Sequence, residues 1–256
     1  SPDGTVSTLA GGTQGSADGT GLEAQFNAPW DLDVDAQGNI YVADTNNHRI
    51  RKITPSGEVS TLAGSTRGWT DGVGEEAQFN HPMGIAVTPD GIVYVGDIEN
   101  ETIRKIDLEG TVSSFQGGFS TITGLAVDNE GFIYIVPTNE HAIWKIGFDE
   151  VSATKVVGNG EGDIDGDTSN AQFRRPKDVA IDAAGNLYIA DEGNHKIRKI
   201  TVDGQVITYA GSTQGANNGS GSSAQFKLPY GLAVTANGIV YVADTNNHLI
   251  RKIILE

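Results

Sequence analysis

The chain has 256 residues, of which 38% are hydrophobic and 20% are charged, enough apolar material for a sizeable core. Its 33 acidic residues outnumber its 17 basic residues, and the formal net charge of −16 disfavours binding to generic nucleic acid or anionic lipid. The lack of cysteine excludes disulfides, thiolate zinc sites and thiol nucleophiles. No apolar run approaches the roughly 18 residues that a spanning helix needs, so no membrane span is predicted.

The first segment with strand character, residues 6–11, is followed by a glycine-rich insert, residues 18–26, that ends in Phe26. We expect this insert to form a short turn whose phenylalanine packs into the core. The chain then alternates apolar and polar residues in four stretches, which predict four β-strands. These stretches are residues 32–35, 39–43, 48–53 and 59–63. Glycine, proline or asparagine between them predicts tight turns.

This four-strand pattern recurs along the chain. Its copies are anchored at residues 29–53, 82–106, 122–146, 176–200 and 229–253. A repeat of about 40–50 residues that contains only strands is typical of a propeller, in which each unit covers its apolar surface with its neighbours. We therefore predict an all-β fold, a five-bladed β-propeller of four-stranded antiparallel blades, with residues 1–256 forming a single domain.

The two ends of the chain complement each other in this scheme. The last copy supplies three strands, and residues 6–11 read as a fourth strand with no blade before it. We therefore expect the N-terminal strand to pair with the C-terminal blade and close the ring.

The segment before the third strand reads Asn247-His248-Leu249 in the last copy, with the variants Asn47-His48-Arg49 and Asn194-His195-Lys196. The chain resembles an NHL-repeat β-propeller of the bacterial type, whose repeats carry the Asp-Gly-x-Gly-x-x-Ala-x-Phe insert found here at residues 18–26 and 71–79. The resemblance implies a propeller, commonly of six blades, so five is a departure. A secreted or cell-envelope location is the corresponding expectation.

Long, variable connections lead from the fourth strand of one blade to the first strand of the next, whereas the other turns are short and uniform. Such loops on a rigid scaffold usually carry binding. The residues that flank the start of the first strand vary most, and we take ten of them as candidate ligand-binding residues. They are Trp30, Asp31, His81, Met83, Arg174, Arg175, Lys177, Asp178, Lys227 and Tyr230. The four basic members predict an anionic group on the partner.

These features favour a non-enzymatic, monomeric recognition scaffold that binds a protein, peptide or glycan on the long-loop face, without catalytic residues or a cofactor. One alternative, implied by the resemblance, is a metal-dependent lyase or lactonase-like enzyme with its site in the axial channel. Such a site needs several histidines or carboxylates along the first strands, and the inner positions offer only the scattered Asp31, His81 and Asp178. A second alternative is an engineered or excised propeller with no ligand of its own, since residues 41–48 and 241–248 are identical.

The acidic stretch at residues 161–167 alternates carboxylates around glycine, a pattern that suits a calcium loop. Asp163, Asp165 and Asp167 would be the calcium ligands. The stretch lacks the later glutamate of an EF-hand, and the other inserts replace its acids, so a solvated acidic loop is the preferred interpretation.

Four histidines share one repeat position: His48, His141, His195 and His248. Because the third strand lies about 10 Å outside the first, equivalent histidines are too far apart to share a zinc ion. We expect each histidine to bond within its blade, for example to the aspartate that ends the second strand. That aspartate, such as Asp44, is predicted to cap the following turn through backbone amides two residues on.

Overall fold

The computed structural model describes residues 7–147 and 152–254, and within them the regular structure is β-strand with single turns of 3₁₀-helix. The chain divides into two compact units, Ser1–Gly118 and Phe119–Glu256. Unit one contains two blades and unit two contains three. Among the described residues, no helix has the length and apolar character that crossing a bilayer requires.

Unit one starts with an insert and continues with blades one and two. The insert strands are β1 (Thr13–Gln14), β2 (Gly19–Thr20) and β3 (Gln25–Phe26). Blade one consists of β4 (Pro29–Val34), β5 (Ile40–Asp44), β6 (Arg49–Ile53) and β7 (Glu58–Ala63). Blade two follows β8 (Gly72–Val73) and consists of β9 (Pro82–Val87), β10 (Val93–Asp97), β11 (Thr102–Ile106) and β12 (Thr111–Gly117). Neighbouring strands of each blade are antiparallel, and β2 and β8 add a short fifth strand to the outer edges of blades one and two.

Unit two contains blades three, four and five. Blade three consists of β13 (Ile122–Val127), β14 (Ile133–Pro137), β15 (Ile143–Ile146) and β16 (Ala153–Val157). Blade four follows β17 (Gly166–Asp167) and consists of β18 (Pro176–Ile181), β19 (Leu187–Asp191), β20 (Lys196–Ile200) and β21 (Gln205–Ala210). Blade five consists of β22 (Pro229–Val234), β23 (Val240–Asp244) and β24 (Leu249–Ile253).

A 3₁₀ turn joins the second and third strands of every blade. These turns are Thr45–Asn47, Ile98–Asn100, Thr138–Glu140, Glu192–Asn194 and Thr245–Asn247. The inserts contain three more, Gly21–Glu23, Gly74–Glu76 and Gly221–Ser223. In blades one, two, four and five, an asparagine of the turn between the second and third strands binds the insert. In blade one, the Asn47 side chain donates to the carbonyl of Gly15 at 2.6 Å. The turn and the insert therefore lie at the same end of a blade.

The strand bounds match the repeat closely. The five anchored segments begin where the first strand begins and end where the third strand ends, from Pro29 and Ile53 in blade one to Pro229 and Ile253 in blade five. The predicted all-β, five-bladed fold class is confirmed. The predicted closing segment begins at Val6, outside the described residues; from Ser7 to Ala10 it is not assigned to a strand, and the described sheet of blade five has three strands. Closure of the ring and the single-domain assignment therefore stay predictions.

Adjacent blades within a unit pack through one repeated apolar interface. In unit one, Tyr41 and Ile50 of blade one share a buried cluster with Ile85 and Val87 of blade two. The corresponding members in blades four and five are Tyr188, Ile197, Leu232 and Val234. Full burial of one such side chain stabilises the fold by about 1.5–3 kcal/mol. Because successive side chains of a strand point to opposite faces, each blade has an apolar face for each of its two neighbours.

A buried arginine on the third strand ties the insert to its blade. Arg51, whose side chain has no exposed surface, donates to Asp44 at 2.8 Å and to Asp18 at 2.5 Å. It also donates to the carbonyl oxygen of Gln25 at 2.9 Å, and its guanidinium lies 5.1 Å from the Phe26 ring centroid. The equivalent arginines are Arg104, Arg198 and Arg251. The insert phenylalanines Phe79, Phe173 and Phe226 are buried core residues, as predicted, and Phe26 is half-buried against the core.

The aspartate that ends the second strand has a different role from the predicted turn cap. Asp44 Oδ1 accepts a hydrogen bond from the Asn27 amide at 2.7 Å, and its Oδ2 accepts from the side chains of Asn47 and Arg51. The partner amide lies before the first strand rather than two residues further on. The prediction of the partner was wrong because the buried arginine draws this carboxylate inward.

The histidine prediction also needs a correction. His48 Nδ1 accepts from the backbone N–H of His81 in the next blade at 3.2 Å, and His141 Nδ1 accepts from that of Arg175 at 3.0 Å. The donor residue has left-handed backbone in both cases, with φ of 56° and 49°. His48, His141 and, with the Leu228 amide, His195 therefore link neighbouring blades instead of bonding to the aspartate of their own blade.

Candidate functional site

The ten predicted ligand-binding residues divide between the two units. Unit one contains Trp30, Asp31, His81 and Met83, and unit two contains Arg174, Arg175, Lys177, Asp178, Lys227 and Tyr230. In unit one, Trp30 on β4 is 44% exposed. Asp31 Oδ2 accepts from the Ile85 amide at 3.0 Å, and the His81 ring packs edge-on against His48. These two contacts join blades one and two.

Three of the six residues in unit two already bind other residues of the propeller, so their contacts do not require a ligand. Arg174 is exposed, and its Nε lies 3.1 Å from Glu161. Asp178 Oδ2 accepts from the Leu232 amide at 2.7 Å, a bond between blades four and five. Lys227 is half-buried and donates its backbone N–H to an aspartate that ends a strand.

The other three, Arg175, Lys177 and Tyr230, come together around a glutamate. Lys177 is only 6% exposed, and its Nζ lies 5.1 Å from the Tyr230 ring centroid. Glu192 is 7% exposed, and its Oε2 lies 3.6 Å from Arg175 Nε. Lysine and glutamate are almost never this buried without a specific reason. We call Arg175, Lys177, Glu192 and Tyr230 the blade-four cluster.

Hydrogen bonds from blade three hold the backbone beneath the cluster. Thr123 Oγ1 donates to the carbonyl of Lys177 at 2.6 Å, and Thr138 Oγ1 donates to that of Pro176 at 2.8 Å. Both threonines are buried. The Arg175 amide is held by His141, as described above. Because these contacts fix the start of β18, Lys177 is presented from a rigid strand rather than from a mobile loop.

The internal repeat shows that the scaffold does not require this glutamate. The position of Glu192 is occupied in the other blades by Thr45, Ile98, Thr138 and Thr245. Thr45 and Thr138 use the hydroxyl to donate to the backbone carbonyl of the next blade's proline. An ionised carboxylate cannot donate such a bond. Blade four therefore has a buried acidic group where blades one and three have a hydroxyl that bonds to the next blade.

The position of Lys177 shows the same departure. Its counterparts are Trp30, Met83, Thr123 and Tyr230, none of which is charged. Lys177 and Glu192 are thus two charged residues at repeat positions that are uncharged in the other four blades. Both belong to blade four, and they lie close enough to interact electrostatically. Sequence reasoning identified the lysine through its basic neighbours. It missed Glu192, although alignment of the five internal copies shows that this is the only acidic residue at its repeat position.

Burial controls the electrostatics of the cluster. Desolvation lowers the pKa of Lys177 from its ordinary value of 10.5; the Glu192 carboxylate opposes this shift and the Arg175 guanidinium adds to it. Desolvation also raises the pKa of the Tyr230 hydroxyl, and Glu192 raises it further. Glu192 Oε2 is buried; it lies 3.6 Å from Arg175 Nε but, among the residues that the structure describes, has no hydrogen-bond partner. The cluster therefore offers cationic donors beside a carboxylate oxygen that accepts no hydrogen bond from the described part of the chain.

The predicted calcium ligands contact basic side chains. Asp163 Oδ2 lies 2.6 Å from Lys196 Nζ, and Asp165 pairs with Arg198. Asp167 instead accepts hydrogen bonds from Ser169 and Asn170 in its own turn. Across residues 7–147 and 152–254, no three histidine or acidic residues are grouped so that they could hold a metal ion.

Comparison with known proteins finds a repeat family that matches three segments and relatives that align with most of the chain. The NHL repeat model matches residues 26–53, 173–200 and 226–253. Protein SUPPRESSOR OF QUENCHING 1, chloroplastic, of Arabidopsis thaliana is 30% identical over 94% of this chain and 26% of its own length. NHL repeat-containing protein 2 of Bos taurus is 26% identical over 88% of this chain and 38% of its own length. The chain thus spans well under half of these two relatives.

A third relative bears the name of an enzyme. Probable peptidyl-alpha-hydroxyglycine alpha-amidating lyase pgal-1 of Caenorhabditis elegans is 26% identical over 78% of this chain and 53% of its own length. The relatives of the chain therefore include proteins with different roles.

Solved structures share the fold. An auxiliary nutrient binding protein from Bacteroides thetaiotaomicron is similar with a TM-score of 0.65 and 19% identity, over 96% of this chain and 75% of that one. A chain of the nidogen/laminin complex is similar with a TM-score of 0.68 and 16% identity, over 89% of this chain and 76% of that one. At these identities the likeness concerns the fold. Together with the matched repeats, these findings identify the chain as an NHL-repeat protein of the β-propeller class.

Proposed function

We propose that the chain is a non-enzymatic recognition scaffold that binds an anionic group of a protein, peptide or glycan at the blade-four cluster. One observation carries the proposal. Lys177 and Glu192 are both more than nine-tenths buried, and Glu192 Oε2 has no hydrogen-bond partner within residues 7–147 and 152–254. Burying charged groups is costly. The repeat shows that blades can fold without either residue, so a ligand-binding role accounts for both.

The chemistry of the cluster restricts the ligand. Lys177 and Arg175 provide charge-assisted hydrogen-bond donors for a carboxylate or sulfate. Tyr230 supplies an aromatic surface next to them, as is common at binding hot spots. Glu192 would accept a hydrogen bond from a hydroxyl or amide of the same ligand. An acidic peptide or an acidic glycan has both features. The names of the nutrient-binding and nidogen/laminin neighbours support a binding role.

The enzyme alternative draws support from the lyase-named relative. The residues that it would use already have scaffold contacts. Asp31 and Asp178 each accept a backbone N–H from the next blade, and His81 Nδ1 lies 3.1 Å from the Asn80 side-chain oxygen. A metal-dependent lyase or lactonase is therefore the less favoured proposal. Stoichiometric zinc or calcium in the purified protein would favour it, and calcium would also support the calcium loop at Asp163, Asp165 and Asp167.

Binding to an array of peptides and glycans tests the proposal. We expect wild type to bind acidic members and Lys177→Met to lose that binding, because methionine keeps the volume of the side chain and removes the charge. Lys155→Met is the matched control, since Lys155 is exposed on β16 and the change in net charge is the same. Equal binding by Lys177→Met and wild type, or no binding by wild type, would show that the assignment is wrong.

A further inference from the structure

Blades three and four, both in unit two, flank an open cavity of about 650 Å³. It lies among the short turns that follow the first strands, at the opposite end of blade four from the blade-four cluster. Its apolar walls include Tyr134 and Val156 of blade three and Ile181 and Ile200 of blade four. A concave site of this volume, with apolar walls and a few polar groups, is in the range of small-molecule sites.

Blade three has a small residue beside this cavity where its neighbours have an aromatic ring. Val156 on β16 has the register position of Phe115 in blade two and Tyr209 in blade four. Each of these two rings packs edge-on against the tyrosine of its own second strand, with ring centroids 5.1 Å apart. Blade three keeps that tyrosine, Tyr134, but Val156 supplies no ring to pack against it.

A lysine of the third strand belongs to the same environment. In blades two and four, its Nζ lies 6.0 and 5.9 Å from the centroid of the aromatic ring. Lys145 has this position in blade three and lines the cavity, with its Nζ 5.2 Å from the Tyr134 ring centroid. The cavity therefore keeps the tyrosine and the cation that contact an aromatic ring in the two neighbouring blades.

The rim of the cavity has an excess of carboxylates. In blades one and four, Oδ2 of the aspartate that follows the first strand accepts from an asparagine and from the tyrosine, at 2.7–3.2 Å. In blade three, Phe132 replaces the asparagine, and Lys145 Nζ lies 3.9 Å from Asp128 Oδ2. Glu130 is exposed at the same rim. This excess of negative charge favours a cationic group on a ligand.

We infer that the cavity binds a small aromatic amine, whose ring occupies the space that Phe115 and Tyr209 fill in the neighbouring blades. The ring packs against Tyr134 and the apolar wall of blade four, where edge-on aromatic contacts are favourable. The ammonium group, charged at neutral pH, donates to Asp128 in a charge-assisted hydrogen bond. The blade-four cluster takes an anion at the other end of the blade, so this inference does not rest on the proposed function.

Titration of the labelled protein with three probes of similar shape, followed through amide chemical shifts, tests the ligand class. The probes are 2-phenylethylamine, 2-phenylethanol and 3-phenylpropionate. We expect the amine to bind about 10-fold or more tightly than the other two, the ratio that 1.4 kcal/mol provides. The largest shifts should occur at Tyr134, Val156 and Ile200. No binding of the amine, or equal or tighter binding of either other probe, would overturn the inference.

Val156→Phe is the most informative variant, because it fills the cavity with the ring that blade two accommodates at this position. We expect it to fold like wild type and to bind the amine about 30-fold or more weakly, as loss of a binding hot spot would. Leu62→Phe makes a similar change at the equivalent position of blade one and should bind like wild type. Unchanged binding by Val156→Phe, or an equal loss in Leu62→Phe, would overturn the inference.

Asp128→Asn tests the site without a change in its volume. It should weaken binding of the amine about 10-fold and leave binding of 2-phenylethanol unchanged, because only the amine uses the negative charge. Circular dichroism verifies that each variant folds. Wild-type affinity of Asp128→Asn for the amine would contradict the assignment of the ammonium group to this carboxylate.

Discussion

Replacing Arg104 with alanine is expected to lower the free energy of unfolding by about 3–5 kcal/mol, the cost of removing one partner of a buried ion pair. The Arg104 side chain has no exposed surface and lies 3.1 Å from Asp97, whose side chain is also fully buried. Arg104 also lies 2.5 Å from Asp71 of the insert. The variant would leave the Asp97 carboxylate buried without its cation and would release the insert from the blade.

Arg251→Ala is the matched control for this measurement. Arg251 has the same position in blade five, but its side chain is 10% exposed and it contacts Asn218 where Arg104 contacts an aspartate. We expect a distinctly smaller loss for Arg251→Ala. Denaturant unfolding followed by circular dichroism measures both. Equal losses, or a loss below about 1 kcal/mol for Arg104→Ala, the size expected of an exposed ion pair, would contradict the structural role of the buried pair.

The affinity of wild type for a sulfated ligand from the array is expected to fall about 30-fold or more as Lys177 loses its proton, a loss of about 2 kcal/mol that is typical of a binding hot spot. Only the ammonium form attracts the anion, so affinity is present below the pKa of Lys177 and is lost as pH rises through it. Because burial lowers this pKa, the loss should occur below the ordinary value of 10.5.

Lys177→Arg is the control for the pH profile, because a guanidinium stays charged throughout this range. A sulfate does not titrate there, so a loss specific to wild type reports on Lys177. Calorimetric titration at several pH values, with circular dichroism to verify that the fold persists, measures the profile. A parallel fall in wild type and Lys177→Arg, or a wild-type affinity that is constant up to pH 10.5, would contradict the role of Lys177.

The repeat made the fold predictable from sequence, because alternation and turn residues act locally and recur in each copy. The strand bounds of blade one, from Pro29 to Ala63, follow that pattern to within a few residues. What the pattern cannot show is the partner of a polar side chain across a blade boundary. The partners of His48 and Asp44 are set by such long-range packing, which explains why both were predicted incorrectly.

The candidate site was predictable only in part for the same reason. Arg175, Lys177 and Tyr230 flank the start of a first strand, so the variability of that position revealed them. Glu192 lies in a turn, where an acidic residue is usually solvated. It is nevertheless 7% exposed, and its carboxylate acts electrostatically on Lys177 of its own blade and Tyr230 of the next. Arg51 was overlooked because an alternating strand of basic residues reads as solvent-exposed, whereas the insert covers it completely.

Amide chemical-shift mapping of the labelled protein with its strongest array ligand tests most directly whether the blade-four cluster is the recognition site. We predict the largest shifts at the backbone amides of Arg175, Lys177, Glu192 and Tyr230, with no comparable change at Trp30 or Met83 in unit one. Shifts confined to unit one, or to the short turns at the other end of the blades, would contradict the account.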